Sequence, residues 1–122
     1  MKLHLSRAAD RNAFSGYGEG YVLINGVRYE RSVIVLPDRV MEWPVGSFEE
    51  LSHTVFEALR ALPVDVIVLG TGPKLRFPTP ADLQTVIKAG IGIEVMDTQA
   101  ACRTYNVLLG EDRRVAAAVL MS

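Results

Sequence analysis

Between Tyr21 and Tyr29 the chain reads Tyr-Val-Leu-Ile-Asn-Gly-Val-Arg-Tyr, two apolar runs on either side of Asn25-Gly26. Asn-Gly tolerates the positive φ that a type I′ two-residue turn requires at both central positions, so this stretch predicts a β-hairpin. Extended structure is expected from Ser32 to Leu36, with a stop at Pro37-Asp38. A shorter extended piece from Val40 to Trp43 ends at Pro44, which has no N–H to give to a ladder. An antiparallel ribbon therefore opens the fold. The apolar period then changes: Phe48, Leu51, Val55, Phe56, Leu59 and Leu62 recur at three- and four-residue spacing and form one helical stripe. Ser47-Phe-Glu-Glu50 in front of it has the form of a capping box, in which Glu50 reaches back to the Ser47 amide, and Pro63 closes the helix.

Val64 to Leu69 is short and β-branched, flanked by Pro63 and Gly70, the form of a central strand covered on both faces. Thr79-Pro80-Ala81-Asp82 supplies a cap, a proline pre-set for the first turn and an acid at the positive end of a second helix, which stops at Gly90. Ile91 to Met96 reads as a second core strand. Asp97 or Thr98 caps a third helix to about Leu109, and Arg113 to Leu120 forms the last strand. Strands alternating with covering helices predict an α/β fold with parallel, right-handed crossovers: three layers around a mixed central sheet, with an N-terminal β-hairpin. Residues 1–16 lack clean periodicity and read as an extended arm, leaving 17–122 as a single α/β domain.

Composition narrows the function. A chain of 122 residues fits one core and buries roughly 65% of its unfolded surface. Thirteen basic and fourteen acidic side chains give a net charge of −1, which provides no overall field for nucleic acid or an anionic membrane. The start, Met-Lys-Leu-His-Leu-Ser-Arg, lacks the apolar core of a secretory signal, so a cytoplasmic location is expected. No apolar run approaches the roughly 20 residues that cross a bilayer, so direct membrane insertion is not expected. With one cysteine, Cys102, and two histidines, His4 and His53, neither a metal nor any other cofactor is implied.

Candidate chemistry gathers in two places. Gly70-Thr71-Gly72 follows a core strand, where α/β sheets often place ligands, but Pro73 has no amide and no helix follows at once. A tight turn is the simpler reading. Asp97 and Thr98 end the next strand and converge on Thr71 if the two strands are parallel. Helix capping accounts for them as well. On the third helix Arg103 and Asn106 share a side; they could hold and orient an anion. Alternatively they form an internal network, with Arg103 paired to Asp97 or Glu111 and Asn106 satisfying backbone. Cys102, beside Ala100 and Ala101, reads as a small buried hydrophobe. Tyr17, Tyr21, Tyr29 and Trp43 form a candidate protein-binding surface.

Ile24-Asn-Gly-Val-Arg-Tyr-Glu-Arg-Ser-Val-Ile-Val-Leu-Pro37, Leu69-Gly-Thr-Gly72, Val95-Met-Asp-Thr-Gln-Ala-Ala-Cys-Arg-Thr-Tyr-Asn-Val-Leu108 and Val115-Ala-Ala-Ala118 occur in that order. Together they resemble a family of small bacterial and archaeal proteins that includes mitochondrial complex I assembly factor 3 and the adipogenesis-associated protein of animals. The resemblance implies a three-layer fold with a hairpin at one side of a mixed sheet. It implies no reaction and carries over no catalytic residues. The family's best-described role is in building the mitochondrial NADH dehydrogenase, and some bacterial relatives are encoded near protein-translocation genes. It points to a protein partner, in particular a membrane-associated complex, and so to a non-catalytic assembly module; a homo-oligomer is a further expectation. The alternative is a binding protein or enzyme for a small anion at Thr71, Thr98, Arg103 and Asn106.

Overall fold

The computed structural model describes residues 11–122; most of the expected arm, with His4, lies outside the described residues. In chain order the elements are β1 (Phe14–Gly18), β2 (Tyr21–Ile24), β3 (Val27–Tyr29), β4 (Val33–Leu36), β5 (Arg39–Glu42), α1 (His53–Leu59), β6 (Val66–Thr71), α2 (Pro80–Ile87), β7 (Gly92–Met96), α3 (Thr98–Gly110) and β8 (Val115–Leu120). Strands β1, β2 and β3 make a small antiparallel sheet, and the other five form a second sheet in the order β5-β4-β8-β6-β7. Within it β6 runs parallel to β7 and β8, whereas β4 is antiparallel to β5 and β8, so the sheet is mixed.

Strand β8 explains the layering. All six of its residues are buried, and because successive side chains point to opposite faces, they divide between two cores. Val115, Ala117 and Val119 pack with Ala101, Cys102 and Tyr105 of α3 and with Phe14, Val22 and Ile24 of the small sheet. Ala116, Ala118 and Leu120 pack with Phe56 and Leu59 of α1 and Val86 of α2. The mixed sheet is thus the middle of three layers, with α1 and α2 on one face and α3 plus the small sheet on the other. Asn25 and Gly26, at φ 49° and 82°, form the expected turn between β2 and β3.

The structure departs from the sequence pattern in three places. β1 takes in Phe14, Ser15 and Gly16, which the pattern gave to the arm. Two glycines and no β-branched residue hide this strand; tertiary contacts form it, including the edge-to-face packing of Phe14 on Tyr105 with ring centroids 5.4 Å apart. The Ser47 capping box does not start a helix. Phe48–Glu50 make a single 3-10 turn, Ser47 makes no side-chain cap bond, and Glu50 Oε1 accepts from the Gly46 amide at 2.9 Å. Extended backbone at Leu51 then separates this turn from α1, which begins after Ser52. Phe48 and Leu51, partly buried, still pack against the core that holds Phe56 and Leu59. Finally, β7 lies at an edge of the sheet rather than inside it, and its Gly92 and Glu94 are exposed.

Candidate functional site

The parallel register sets Gly70 of β6 beside Met96 of β7, so the carboxyl ends of both strands meet the start of α3. Asp97 caps that helix by accepting from the Ala100 amide at 3.0 Å. The next residue ties the rim together: Gly72 N–H donates to Thr98 Oγ1 and Thr98 N–H donates to Gly72 O, each at 2.9 Å. The Thr98 hydroxyl in turn donates to the carbonyl of Leu120 at the end of β8. Thr71, 1% exposed, donates from its hydroxyl to Lys74 O at 2.6 Å and accepts from the Arg76 amide at 3.1 Å. Gly70 permits this closeness. A Cβ there would stand 2.9 Å from Thr98 Cα, inside any real contact distance. Thr71, Asp97 and Thr98 therefore converge as their strand ends suggested, each bonded to rim backbone, with Asp97 and Thr98 also at the wall of the adjoining cleft.

Arg103 faces outward, across a cleft of about 670 Å³ lined by Tyr17, Tyr21, Gly72, Asp97, Gln99 and the arginine itself. Its Nη1 donates to the Tyr17 hydroxyl at 2.7 Å, and this bond raises the guanidinium pKa further. No carboxylate among the described residues forms an ion pair with it; Glu111 lies instead at 4.0 Å from Arg113. Asn106 is not in the cleft lining. Its Oδ1 accepts from Phe14 N–H at 2.9 Å and its Nδ2 donates to Phe14 O at 2.8 Å, so its amide clamps β1 to α3. Cys102 is fully buried, and burial pushes its thiol up to about 12, away from nucleophile chemistry at neutral pH.

The aromatic set is divided by the fold. Tyr17 and Tyr21 line the cleft, and the Tyr21 ring lies against Gly18, its cross-strand neighbour, where any side chain would collide with it. Tyr29 packs against the α3-side core. Trp43 is 7% exposed and belongs to the opposite core. The cleft also draws on Gln99 and on Glu19 and Gly20 of the β1–β2 turn, which sequence reasoning did not single out. The Tyr17–Arg103 bond joins residues 86 positions apart and has no local signature.

These limits coincide with those of a known family. Residues 14–120, from the first residue of β1 to the last of β8, match the family described as a protein of unknown function, DUF498/DUF598. The chain belongs to that family. It is 32% identical over 115 residues to NADH dehydrogenase [ubiquinone] 1 alpha subcomplex assembly factor 3 of Homo sapiens, covering 93% of this chain and 62% of that protein. The chain thus spans less than two thirds of that assembly factor. The 13 kDa major membrane protein of Francisella tularensis is 26% identical over 109 residues, covering 88% of this chain and 89% of the relative. Among solved structures, a Bordetella parapertussis protein superposes with a TM-score of 0.86 at 33% identity, over 92% of this chain and 97% of that one. The mixed-sheet, three-layer architecture is therefore shared with a relative.

Proposed function

We propose that this protein is a non-catalytic interaction module that helps to assemble a membrane-associated protein complex, working from the cytoplasmic side. The observation that carries the reading is the match to the human assembly factor, which covers 93% of the chain and so nearly the whole fold. The cleft supports it, since Tyr17, Tyr21 and Arg103 are the residue types that concentrate binding energy at protein interfaces. Among the described residues no helix is long and apolar enough to cross a membrane, so the attachment proposed is to the protein partner.

A second reading rests on one observation: Arg103 faces the cleft bonded to the Tyr17 hydroxyl and, among the described residues, in no ion pair, although Asp97 and Glu19 line the same cleft. A guanidinium so placed suits an anionic small molecule. Native mass spectrometry of the protein isolated gently from its own cells separates the two. The module reading expects a protein-sized partner whose occupancy falls at least tenfold in Tyr17→Ala and Arg103→Ala variants of unchanged fold. A small-molecule adduct lost on Arg103→Lys, which keeps the charge but not the planar fork, would replace that reading with the second. A partner retained by both alanine variants would remove the cleft from the module reading.

A further inference from the structure

We infer that the free edge of β7 is a self-association surface, pairing antiparallel with β7 of a second copy about a two-fold axis at Ile93. β7 ends the strand order of the large sheet, and no strand among the described residues pairs with its outer side. Gly92 N–H donates inward to Asp65 O at 2.9 Å. Hydrogen-bonding direction alternates along a strand, so Glu94 and Met96 also point their backbone groups to β6, and Ile93 and Val95 point theirs outward. Strand edges are commonly guarded by proline, lysine, a bulge or a covering group. β1 carries such a cover, with the Asn106 amide on Phe14, and β5 has charged residues at both ends. β7 has no proline or lysine, its one charge is Glu94, which lies on the face opposite Ile93 and Val95, and its register against β6 is unbroken from Gly92 to Met96.

An apolar strip flanks this edge. Ile93 and Val95 are half-buried on the face covered by α1 and α2. On α2, Asp82 is turned toward α1, with Oδ1 3.9 Å from His53 Nδ1. Five residues later, at 100° each, Ile87 sits about 140° around the helix from Asp82, on the side of the β7 edge. It is 46% exposed there. The edge thus offers backbone donors and acceptors beside a half-exposed isoleucine.

The sequence of β7 selects the register. An axis at Glu94 would set two carboxylates directly opposite each other, a destabilising pair. An axis at Val95 would set Ile93 against Asp97, which has already turned into the cap of α3. With the axis at Ile93, that residue meets its own copy and Val95 meets Ile91, which stands just before β7. The Ile91 N–H already goes to Val86 O at 3.4 Å, and its carbonyl is left to accept from Val95. Each Glu94 then lies opposite Gly92, which has no side chain to oppose it. The two large sheets become one continuous sheet, and the two α2 helices close over Ile87.

Sedimentation equilibrium of the full chain tests this, with three variants. A concentration-dependent dimer is expected. Val95→Pro removes an outward N–H without touching the β6 ladder and should weaken the dimer roughly tenfold or more. A Cβ at Gly92 would have its nearest neighbours at 3.7 and 3.8 Å, so substitution there leaves the monomer intact, as thermal melts would verify. Gly92→Glu places a carboxylate opposite Glu94 of the other copy and should weaken the dimer several-fold; Gly92→Lys should tighten it by a similar factor. A monomer at every concentration overturns the inference. So does a dimer indifferent to the three variants, which would be held by another face, or one that both Gly92 variants shift in the same direction.

Discussion

Thr98, 7% exposed, joins three chain segments through one hydroxyl: it sits at the start of α3, accepts from Gly72 after β6 and donates to Leu120 at the end of β8. Replacing it by valine keeps its shape and strands a buried N–H and a buried C=O. The expected loss is about 1–3 kcal/mol in urea unfolding, with Thr98→Ser losing clearly less because the hydroxyl remains. Part of this was legible. Asp97 reads as a cap and Gly70-Thr-Gly72 as a turn, because each uses backbone a few residues away. The bond to Leu120 spans 22 positions and follows only from the β6–β8 register. Arg103 shows the same limit. The chain offers Asp97 and Glu111 as nearby acids, yet the guanidinium finds the Tyr17 phenol, brought by a strand that the pattern did not reveal.

At the scale of elements, β1 depends on Asn106. Its amide supplies both a donor and an acceptor to Phe14, the work a neighbouring strand would otherwise do. Asn106→Ala should therefore release β1 selectively. In hydrogen exchange the Phe14 amide should lose protection by tenfold or more, while the amides of β6 and β8 keep theirs. Equal loss throughout would mean that β1 opens only with the whole fold. Ser47-Phe-Glu-Glu50 makes the complementary point. The motif is right for a helix start, but Glu49 bonds Arg76, Glu50 bonds the Gly46 amide, and the turn closes early. Local capping preferences of about 1 kcal/mol yield readily to such competing partners.

For the molecule as a whole, two buried acids contribute to a loss of stability at high pH. Burial raises the Cys102 thiol from its ordinary 9.0 to about 12, and raises the Tyr105 phenol, which donates to Asn12 O at 2.9 Å, above its ordinary 10.0. Well below pH 9.0 the thiol is protonated in both folded and unfolded chains, and its contribution is constant. As pH rises toward about 12 the unfolded chain ionises first and binds fewer protons, so stability falls. The slope approaches about 1.4 kcal/mol per pH unit for each fully differing group. Urea midpoints should therefore be flat to about pH 8.5 and decline beyond it, and the decline should be shallower in Cys102→Ala. An unchanged slope in that variant would assign the decline to Tyr105 and other groups.

The sequence by itself determined what short-range chemistry can specify. Asn25-Gly26 makes a turn because its backbone tolerates positive φ; Thr79 and Asp97 start helices because their oxygens reach amides three residues on; Val66 to Leu69 is central because it is apolar on both faces. Ordered motifs also placed the chain in its family. The tertiary structure alone decided that β7 is an edge, that β1 is a strand, that Asn106 is a clamp, and that Tyr17 and Arg103 share a cleft. Each of these depends on pairing between residues far apart in the chain, and a side chain's local pattern carries no record of which distant group will satisfy it.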